Sequence, residues 1–140
     1  MTRGHESQGV LPHALEYLTR GWSVIPTRTD KKPVGAWKLW QSQRMTEAQA
    51  RTNFKRAQVA GLAVVCGAVS NVTVLDIEAH ALERECVKAW LELAGNAPRA
   101  RSGGGGLHLY FSFTGEVNKP LSVDGVHLGD VKSEGGYVIL

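Results

Sequence analysis

The chain has 140 residues, 43% of them hydrophobic, which fits one globular domain with a workable core. Its 16 Lys and Arg against 13 Asp and Glu give a net charge of +3, which mildly favours a nucleic-acid partner. No apolar run approaches the roughly 20 residues that cross a bilayer, and no signal peptide is recognisable, so we expect a cytoplasmic protein without a membrane partner. The two cysteines lack CxxC spacing, which argues against a disulfide scaffold or a zinc knuckle.

The first half of the chain predicts a polar start followed by a helix, a strand, a loop and a second helix. Residues 1–10 are polar and contain glycine, which predicts a flexible start before a domain over residues 11–140. Gly21 lies where a helix would end, and Thr46 with Gln49 forms a capping-box pattern. The predicted elements are a helix over residues 12–20, a strand over 22–26 and a helix over 46–56.

The second half alternates apolar strands with one amphipathic helix. Apolar residues recur at intervals of three and four from Leu82 to Leu93, with Gly95 as a cap, whereas Leu107 to Thr114 alternates apolar and polar residues. The whole order predicts a mixed α/β domain of the α+β class. The predicted elements are neighbouring strands over residues 62–66 and 72–78, a helix over 79–94, a half-exposed strand over 107–114, and strands over 126–132 and 137–140 joined by a hairpin turn at Glu134-Gly135-Gly136.

Asp76 and Glu78 interrupt an apolar strand at its carboxyl end. Because side chains two residues apart on a strand point to the same face, these carboxylates begin roughly 6–7 Å apart, and one divalent ion fits between them. The edge where strands give way to helices is also where open α/β sheets bind ligands. A pair of solvated acids at a strand end is the alternative to a metal site.

Four glycines, residues 103–106, precede the strand that carries His108. Backbone without Cβ atoms brings N–H groups close to an anion, so Gly104, Gly105 and Gly106 are candidates for a phosphate-binding loop. The segment is not a Walker motif, because no Lys-Ser or Lys-Thr follows and a strand replaces the helix. His108, on the polar face of its strand, is a candidate phosphate contact, and the alternative is a flexible connector with a surface histidine.

Asp130 ends a third apolar stripe, since alternation places Val126, Leu128 and Asp130 on one face of a strand. With Asp76 and Glu78 it completes a set of three carboxylates. Such a set can hold two Mg²⁺ or Mn²⁺ ions, which lower the pKa of an attacking hydroxyl and neutralise charge on a transferring phosphate. The alternative is a β-turn aspartate, because glycines flank this residue.

Basic residues surround these motifs. Lys132 lies on the same side of its strand as Asp130 and is a candidate for a phosphate or template contact, and Arg101 precedes the glycines. Upstream, Lys31-Lys32-Pro33 and Trp37-Lys38-Leu39-Trp40 mix cations with aromatic rings, a pattern that suits single-stranded nucleic acid. The alternative is that the tryptophans anchor this loop to the core.

In order and content, these segments resemble the bifunctional primase/polymerase (prim-pol) domains of the archaeo-eukaryotic primase superfamily. That family has an hDhE strand, a glycine-rich segment ending in histidine, and an hD strand. The matching segments are Val74-Leu75-Asp76-Ile77-Glu78, Gly103 to His108, and Leu128-Gly129-Asp130. The resemblance covers nearly the whole chain, from the Ala14-Leu15-Glu16-Tyr17 helix to the end.

The resemblance implies a primase/polymerase catalytic fold, an RRM-like mixed or antiparallel sheet flanked by helices. It implies that Asp76, Glu78 and Asp130 bind two Mg²⁺ or Mn²⁺ ions as catalytic residues. It also implies that His108 contacts the phosphates of an NTP or dNTP, and the glycine loop, Lys132 and Arg101 would complete the nucleotide site. The implied activity is template-directed nucleotidyl transfer in plasmid, phage or mobile-element replication. Its implied partners are a single-stranded DNA template, a primer and a helicase domain or subunit.

Two departures from the family pattern bear on these expectations. Many superfamily members have SxH at the second motif, where this chain has Gly106-Leu107-His108. Prim-pol domains also continue past the Gly-Gly-Tyr-Val segment, so we expect a domain truncated at its C-terminus, with an edge strand at Tyr137 to Leu140 open to pairing with another copy. Two other functions stay open: a nucleotide- or single-strand-binding module without catalysis, and a metal-dependent nuclease or phosphodiesterase.

Overall fold

A computed structural model of the chain describes residues 2–140, with side chains described from residue 9 onward. These residues form three α-helices and two antiparallel sheets, which confirms the predicted mixed α+β class. The helices are α1 (Thr2–Thr19), α2 (Glu47–Asn53) and α3 (Glu85–Ala94). The strands are β1 (Ser23–Thr27), β2 (Gly61–Val65), β3 (Thr73–Ile77), β4 (Arg99–Arg101), β5 (Leu107–Phe111), β6 (Lys119–Val123), β7 (Val126–Lys132) and β8 (Tyr137–Ile139).

The first two helices follow the predicted capping signals but differ in length. Thr46 and Gln49 form the predicted capping box on α2, which ends at Asn53, earlier than expected. Helix α1 starts at Thr2 and includes Pro12, so it is longer than the helix predicted from residue 12. The expected flexible segment over residues 1–10 stays a prediction, since Met1 and the side chains of residues 2–8 lie outside the described part of the chain.

The helix predicted over residues 79–94 consists of two elements. Ala79–Ala81 forms a single 3-10 turn directly after β3, and α3 begins only at Glu85. The N–H of Ala81 donates to the carbonyl of Glu78 at 2.9 Å, so the chain turns at once when it leaves the strand. Helix α3 then packs on the five-stranded sheet through the fully buried Val87 and ends at the predicted Gly95.

The strand order is β1-β2-β8 in a three-stranded sheet and β4-β5-β3-β7-β6 in a five-stranded sheet. The prediction that the strands over residues 62–66 and 72–78 neighbour each other is therefore wrong. Strand β2 already has β1 and β8 on its two sides and β3 has β5 and β7, so only an isolated bridge between Gly67 and Val72 joins them. The predicted hairpin at residues 134–136 is also wrong, because β7 and β8 belong to different sheets.

Two short strands at the edges of the larger sheet were not predicted. Strand β4 consists of three exposed residues, and β6 contains Pro120, so neither shows the apolar alternation of a typical strand. Proline is tolerated on an edge strand because its missing N–H can face away from the ladder. Both strands matter to the site, because β4 pairs with the outer edge of β5 and β6 pairs with the outer edge of β7.

Both faces of the five-stranded sheet are covered. One face packs on α3, with Ile77 fully buried beside Val87, and the other packs on the three-stranded sheet, where Val74 meets Val64. Helices α1 and α2 cover the remaining face of the three-stranded sheet through a cluster that includes the buried Phe54. No helix of the described residues combines the length and hydropathy that crossing a membrane requires.

Candidate active site

Three of the predicted site residues lie in one row across the five-stranded sheet. In the strand register, Asp76 of β3 pairs with His108 of β5 on one side and with Asp130 of β7 on the other. Directly paired residues of antiparallel strands point to the same face, with Cβ atoms about 4.5–5.5 Å apart. The register therefore places His108 between β4 and Asp76, and it places Asp130 on the other side of Asp76.

A second row on the same face closes the gap between the two sheets. It consists of Tyr110, Val74 and Lys132, each two residues along its strand from the first row. Val74 is fully buried against the three-stranded sheet, whereas Asp76 faces a cavity of about 1070 Å³ that is lined from both sheets. The sheets therefore form a wedge that is closed at Val74 and open at Asp76.

His108 lies in the wall of this cavity and is largely buried. Only 7% of the residue is exposed, and its Nε2 lies 3.3 Å from Oδ1 of Asp76. The predicted half-exposed strand is therefore wrong at this position. The physical reason is that β4 covers β5, with Ala100 opposite His108, and that the ring of Tyr110 lies edge-on to the imidazole at 6.4 Å.

Glu78 follows β3 directly and lines the cavity with Asp76. Its N–H donates to the carbonyl of Leu128 at 2.9 Å, which continues the pairing of β3 with β7 by one residue. Its half-exposed carboxylate contacts two histidines, with Nε2 of His80 at 3.1 Å from Oε1 and Nδ1 of His127 at 3.5 Å from Oε2. The position of Glu78 is thus fixed by the sheet, while its side chain is held by imidazoles.

Asp130 lies within β7 and not in a β-turn. The apolar stripe predicted to end at Asp130 is wrong, because the pairing of β6 with β7 shifts between Leu121 and Ser122 and makes Leu128 an extra residue. This β-bulge turns Leu128 into the core under α3, where it is fully buried. It leaves His127 on the side of Asp130.

His127 is the site residue that the sequence analysis missed. Its Nδ1 lies 3.5 Å from Glu78, as described, and its Nε2 lies 3.7 Å from Oδ1 of Asp130, so the ring bridges two of the three predicted acids. Strict alternation along the strand gives no sign of this placement. The one local signal is Gly129, since glycine within a strand often marks a bulge.

The predicted cations and glycines are distributed around the same cavity. Lys132, Arg101, Gly104 and Gly106 line it, whereas Gly105 does not. Nζ of Lys132 lies 3.8 Å from Oδ2 of Asp130, which itself is beside the cavity and not among the residues of its wall. The structure thus brings eight of the nine predicted site residues to the cavity or to a direct contact with it, with Gly105 in the turn behind.

The glycine segment forms a tight turn against the end of β3. The N–H of Ser102 donates to the carbonyl of Gly106, and the N–H of Gly105 donates to the carbonyl of Ser102, both at 3.0 Å. A Cβ on Gly106 would lie 2.2 Å from the carbonyl oxygen of Ile77, far inside van der Waals contact. Glycine therefore occupies the SxH serine position because a larger residue would collide with the strand that carries Asp76.

Burial controls the protonation of two groups next to the site. It raises the pKa of the Tyr110 phenol, with smaller contributions from Tyr17, Cys66 and Asp76, so this hydroxyl keeps its proton at neutral pH. Burial also raises the pKa of the Cys66 thiol from 9.0 to about 12, against the opposing effect of Lys132. Because the thiolate is the reactive form of cysteine, Cys66 serves packing and not nucleophilic chemistry.

The predicted metal ligands have the right chemistry but other partners. Carboxylate oxygens are the donors that Mg²⁺ and Mn²⁺ prefer, and the side chains of Asp76, Glu78 and Asp130 are 29%, 46% and 31% exposed. Among the side chains described from residue 9 onward, no group of three or more His, Cys, Asp or Glu residues is arranged to hold a metal ion. Each carboxylate instead contacts a histidine, and Asp130 also contacts Lys132. The residues therefore fit a divalent ion by donor type, provided that His80, His127 and Lys132 turn away from Glu78 and Asp130.

The loop tryptophans pack against the protein. Trp37 and Trp40 are half-buried on the apolar cluster under α1 and α2, and Trp37 lies edge-on to Tyr137 at 5.1 Å. The carbonyl of Trp40 also accepts a hydrogen bond from Oγ of Ser23 at 2.7 Å. Of the two interpretations of this loop, these contacts favour anchoring to the core over stacking on nucleobases.

Comparison with known proteins identifies the family of the chain. No curated protein matches the chain. The model of one protein family, described as bifunctional DNA primase/polymerase, N-terminal, matches residues 14–140. That range includes every residue of the two sheets, Lys132 and Arg101 of the cavity wall, and all three acidic or histidine motifs. The chain therefore belongs to the family of bifunctional DNA primase/polymerase N-terminal domains, and its general function is of the DNA primase/polymerase type.

Proposed function

We propose that this chain carries out template-directed nucleotidyl transfer. The 3′-hydroxyl of a primer or of an initiating nucleotide attacks the α-phosphate of an NTP or dNTP, the new phosphodiester bond forms, and pyrophosphate leaves. The observation that carries the proposal is the row of His108, Asp76 and Asp130 at the mouth of the wedge between the sheets, in a chain of this family. A single-stranded DNA template and a primer are the proposed partners.

The wall of β4, β5 and the glycine turn is suited to the triphosphate. His108 is held by the sheet and by Asp76, so its ring has one orientation from which a nitrogen can donate to a phosphate oxygen. Arg101 of β4 supplies positive charge on this wall, and Lys132 supplies it to the same cavity from β7. Positioning and electrostatic stabilisation of this kind are nearly all that a protein contributes to phosphoryl transfer.

Asp76, Glu78 and Asp130 would hold the divalent ions. When bound, two such ions lower the pKa of the attacking hydroxyl and neutralise charge on the transferring phosphate. The contacts that now occupy the carboxylates are made by side-chain atoms of His80, His108, His127 and Lys132. Rotation of His80, His127 and Lys132 frees Glu78 and Asp130 without any change in the strand register. Asp76 keeps its Oδ2 for an ion while its Oδ1 contacts His108.

Replacement of Asp76 by Asn tests the proposal. Asn has the same shape but no charge, so primer synthesis and primer extension should fall by at least about a hundredfold in the presence of Mg²⁺ or Mn²⁺, with unchanged folding. The matched control is Asp124→Asn, which removes one negative charge at an exposed hairpin position with a φ of 52° that Asn tolerates. Full activity of Asp76→Asn would refute the proposed role of Asp76 as a metal ligand. Shortening of the labelled DNA by the wild-type chain, instead of extension, would support a nuclease.

The contacts of Asp76, Glu78 and Asp130 with histidine or lysine side chains favour a second candidate function, a nucleotide- or single-strand-binding module without catalysis. In that case, labelled dNTP and single-stranded DNA bind to the wild-type chain with metal and template present, but no primer extension occurs. Extension that depends on Asp76 rules this candidate out.

A further inference from the structure

One lysine in the cavity wall has no part in the proposed chemistry. Lys31 belongs to the loop that follows β1, so it reaches the cavity from the side of the three-stranded sheet, whereas Lys132 and Arg101 reach it from the five-stranded sheet. Its neighbour Lys32 is also exposed but does not line the cavity. The two neighbouring lysines therefore carry the same charge, but only Lys31 lines the cavity.

The backbone of Lys31 is held in an uncommon conformation. Its φ is 70°, and its N–H donates to the carbonyl of Arg28 at 2.9 Å, while the N–H of Arg28 donates to the carbonyl of Lys32 at 2.8 Å. A lysine with positive φ is unusual and persists where the surrounding structure determines it. The loop thus presents Lys31 at a defined place.

A tyrosine of the cavity wall, from the C-terminal part of the chain, holds the backbone of Lys31 in position. The hydroxyl of Tyr137 in β8 donates to the carbonyl of Lys31 at 3.0 Å, and the edge-on contact with Trp37 supports the ring of Tyr137. Tyr137 lines the cavity as Lys31 does. The backbone of Lys31 is therefore bonded to β8 of the three-stranded sheet, which forms the second wall of the cavity.

The charge of Lys31 is available to a ligand. The negative charge in its loop, Asp30, is paired with Arg28, whose hydrogen bonds lower the pKa of that carboxyl. None of the ion pairs among the side chains from residue 9 onward involves Lys31. An ammonium group at a cavity rim without an acidic partner attracts anions.

We propose that Lys31 is a phosphate-binding residue of the second wall and that Tyr137 is its positioning residue. This inference rests on the proposed function, because it takes the cavity to hold nucleotides. At about 1070 Å³, the cavity is at the upper end of the roughly 300–1,000 Å³ that one small ligand occupies, so it has room for more than a triphosphate. The phosphate belongs either to the incoming nucleotide or to the DNA strand.

Binding measurements on four proteins distinguish these sources: the wild type, Lys31→Ala, Lys32→Ala and Tyr137→Phe. The probes are a non-hydrolysable dNTP and a fluorescent single-stranded oligonucleotide, each titrated in Mg²⁺ at several salt concentrations. Lys31→Ala should weaken one of the two ligands about tenfold, the effect of one charge-assisted hydrogen bond, whereas Lys32→Ala should change binding less than about twofold. If the ligand is DNA, the negative slope of log K against log salt should become shallower by about 0.7 in Lys31→Ala alone.

Tyr137→Phe removes one hydroxyl and no charge. It should weaken the same ligand as Lys31→Ala, by a smaller factor, and unchanged binding in this variant overturns the positioning role of Tyr137. Equal effects of Lys31→Ala and Lys32→Ala on both ligands overturn the phosphate contact while the proposed function stands. Failure of the wild type to bind either probe contradicts the proposed function itself.

Discussion

Among the glycines near the site, Gly129 has the least room for a side chain, which makes its replacement by alanine a direct test of the strand register. A Cβ at this position would lie 1.9 Å from the carbonyl oxygen of Asp76, where real Cβ atoms keep at least 3.0 Å. Strand β7 must therefore shift from β3 by about 1.1 Å, the difference between those two distances. The shift occurs next to the pair of Asp76 and Asp130, so it separates two of the three carboxylates.

The expected cost has two parts. Overpacking of this kind destabilises a protein by about 1–3 kcal/mol, which lowers Tm by roughly 4 °C per kcal/mol for a domain of this size. A displacement of about 1 Å at reacting groups lowers the rate by about a hundredfold. Gly129→Ala should therefore lose nearly all primer extension while it remains folded at a temperature well below its Tm.

Thermal unfolding followed by circular dichroism and a primer-extension time course measure both quantities on one preparation. The control is Gly9→Ala in α1, where the added methyl meets no atom within 4 Å. That variant should keep full activity and gain up to about 1 kcal/mol, because alanine favours a helix over glycine. Wild-type activity and Tm in Gly129→Ala would refute the close approach of β7 to β3 and, with it, the position of Asp130.

Three further outcomes follow from local features. Gly106→Ser, which restores the SxH pattern, should lower primer extension instead of improving it, because its Cβ would lie 2.2 Å from the carbonyl of Ile77; higher activity would contradict this geometry. At pH 8, a thiol reagent should modify the half-buried Cys86 and leave Cys66 intact until the protein unfolds, since burial raises the pKa of Cys66 to about 12; mass spectrometry of the native protein checks this. Because the Cys66 thiol loses its proton more easily in the unfolded chain, the free energy of unfolding should also decrease as the pH rises from about 9 towards 12. Thr46→Ala should lower the free energy of unfolding by about 1 kcal/mol in urea, because it removes the capping box of α2, and an unchanged urea midpoint would show that the cap contributes nothing.

The sequence was most informative where the signal is local. The capping box of α2, the glycine at the end of α3 and the bounds of β7 were all predicted from neighbouring residues. Asp76, Glu78, His108 and Asp130 are predicted as one candidate site because acids and a histidine on apolar strands need a partner or a ligand. Each of these inferences used only residues within a few positions of one another.

The failures concern relations between distant residues. Nothing in the strands over residues 62–66 and 72–78 shows that each has two other partners, because pairing depends on the whole sheet. The bulge at Leu128 reverses the facing of every residue before it in β7, so alternation assigned Leu128 to the wrong face and missed His127. Likewise, the burial of His108 depends on β4, a strand of three exposed residues without apolar pattern.

The wedge between the two sheets has the candidate site residues at its open end and a small apolar cluster at its closed end. Its closed end is a contact of small aliphatic side chains and one thiol, with Val74 and Cys66 among them, one row of residues away from the acids. The volume of those side chains determines how far the walls diverge at Asp76. Conservative core substitutions at this closed end should therefore change the width of the cavity, with the three carboxylates and their backbone left as they are.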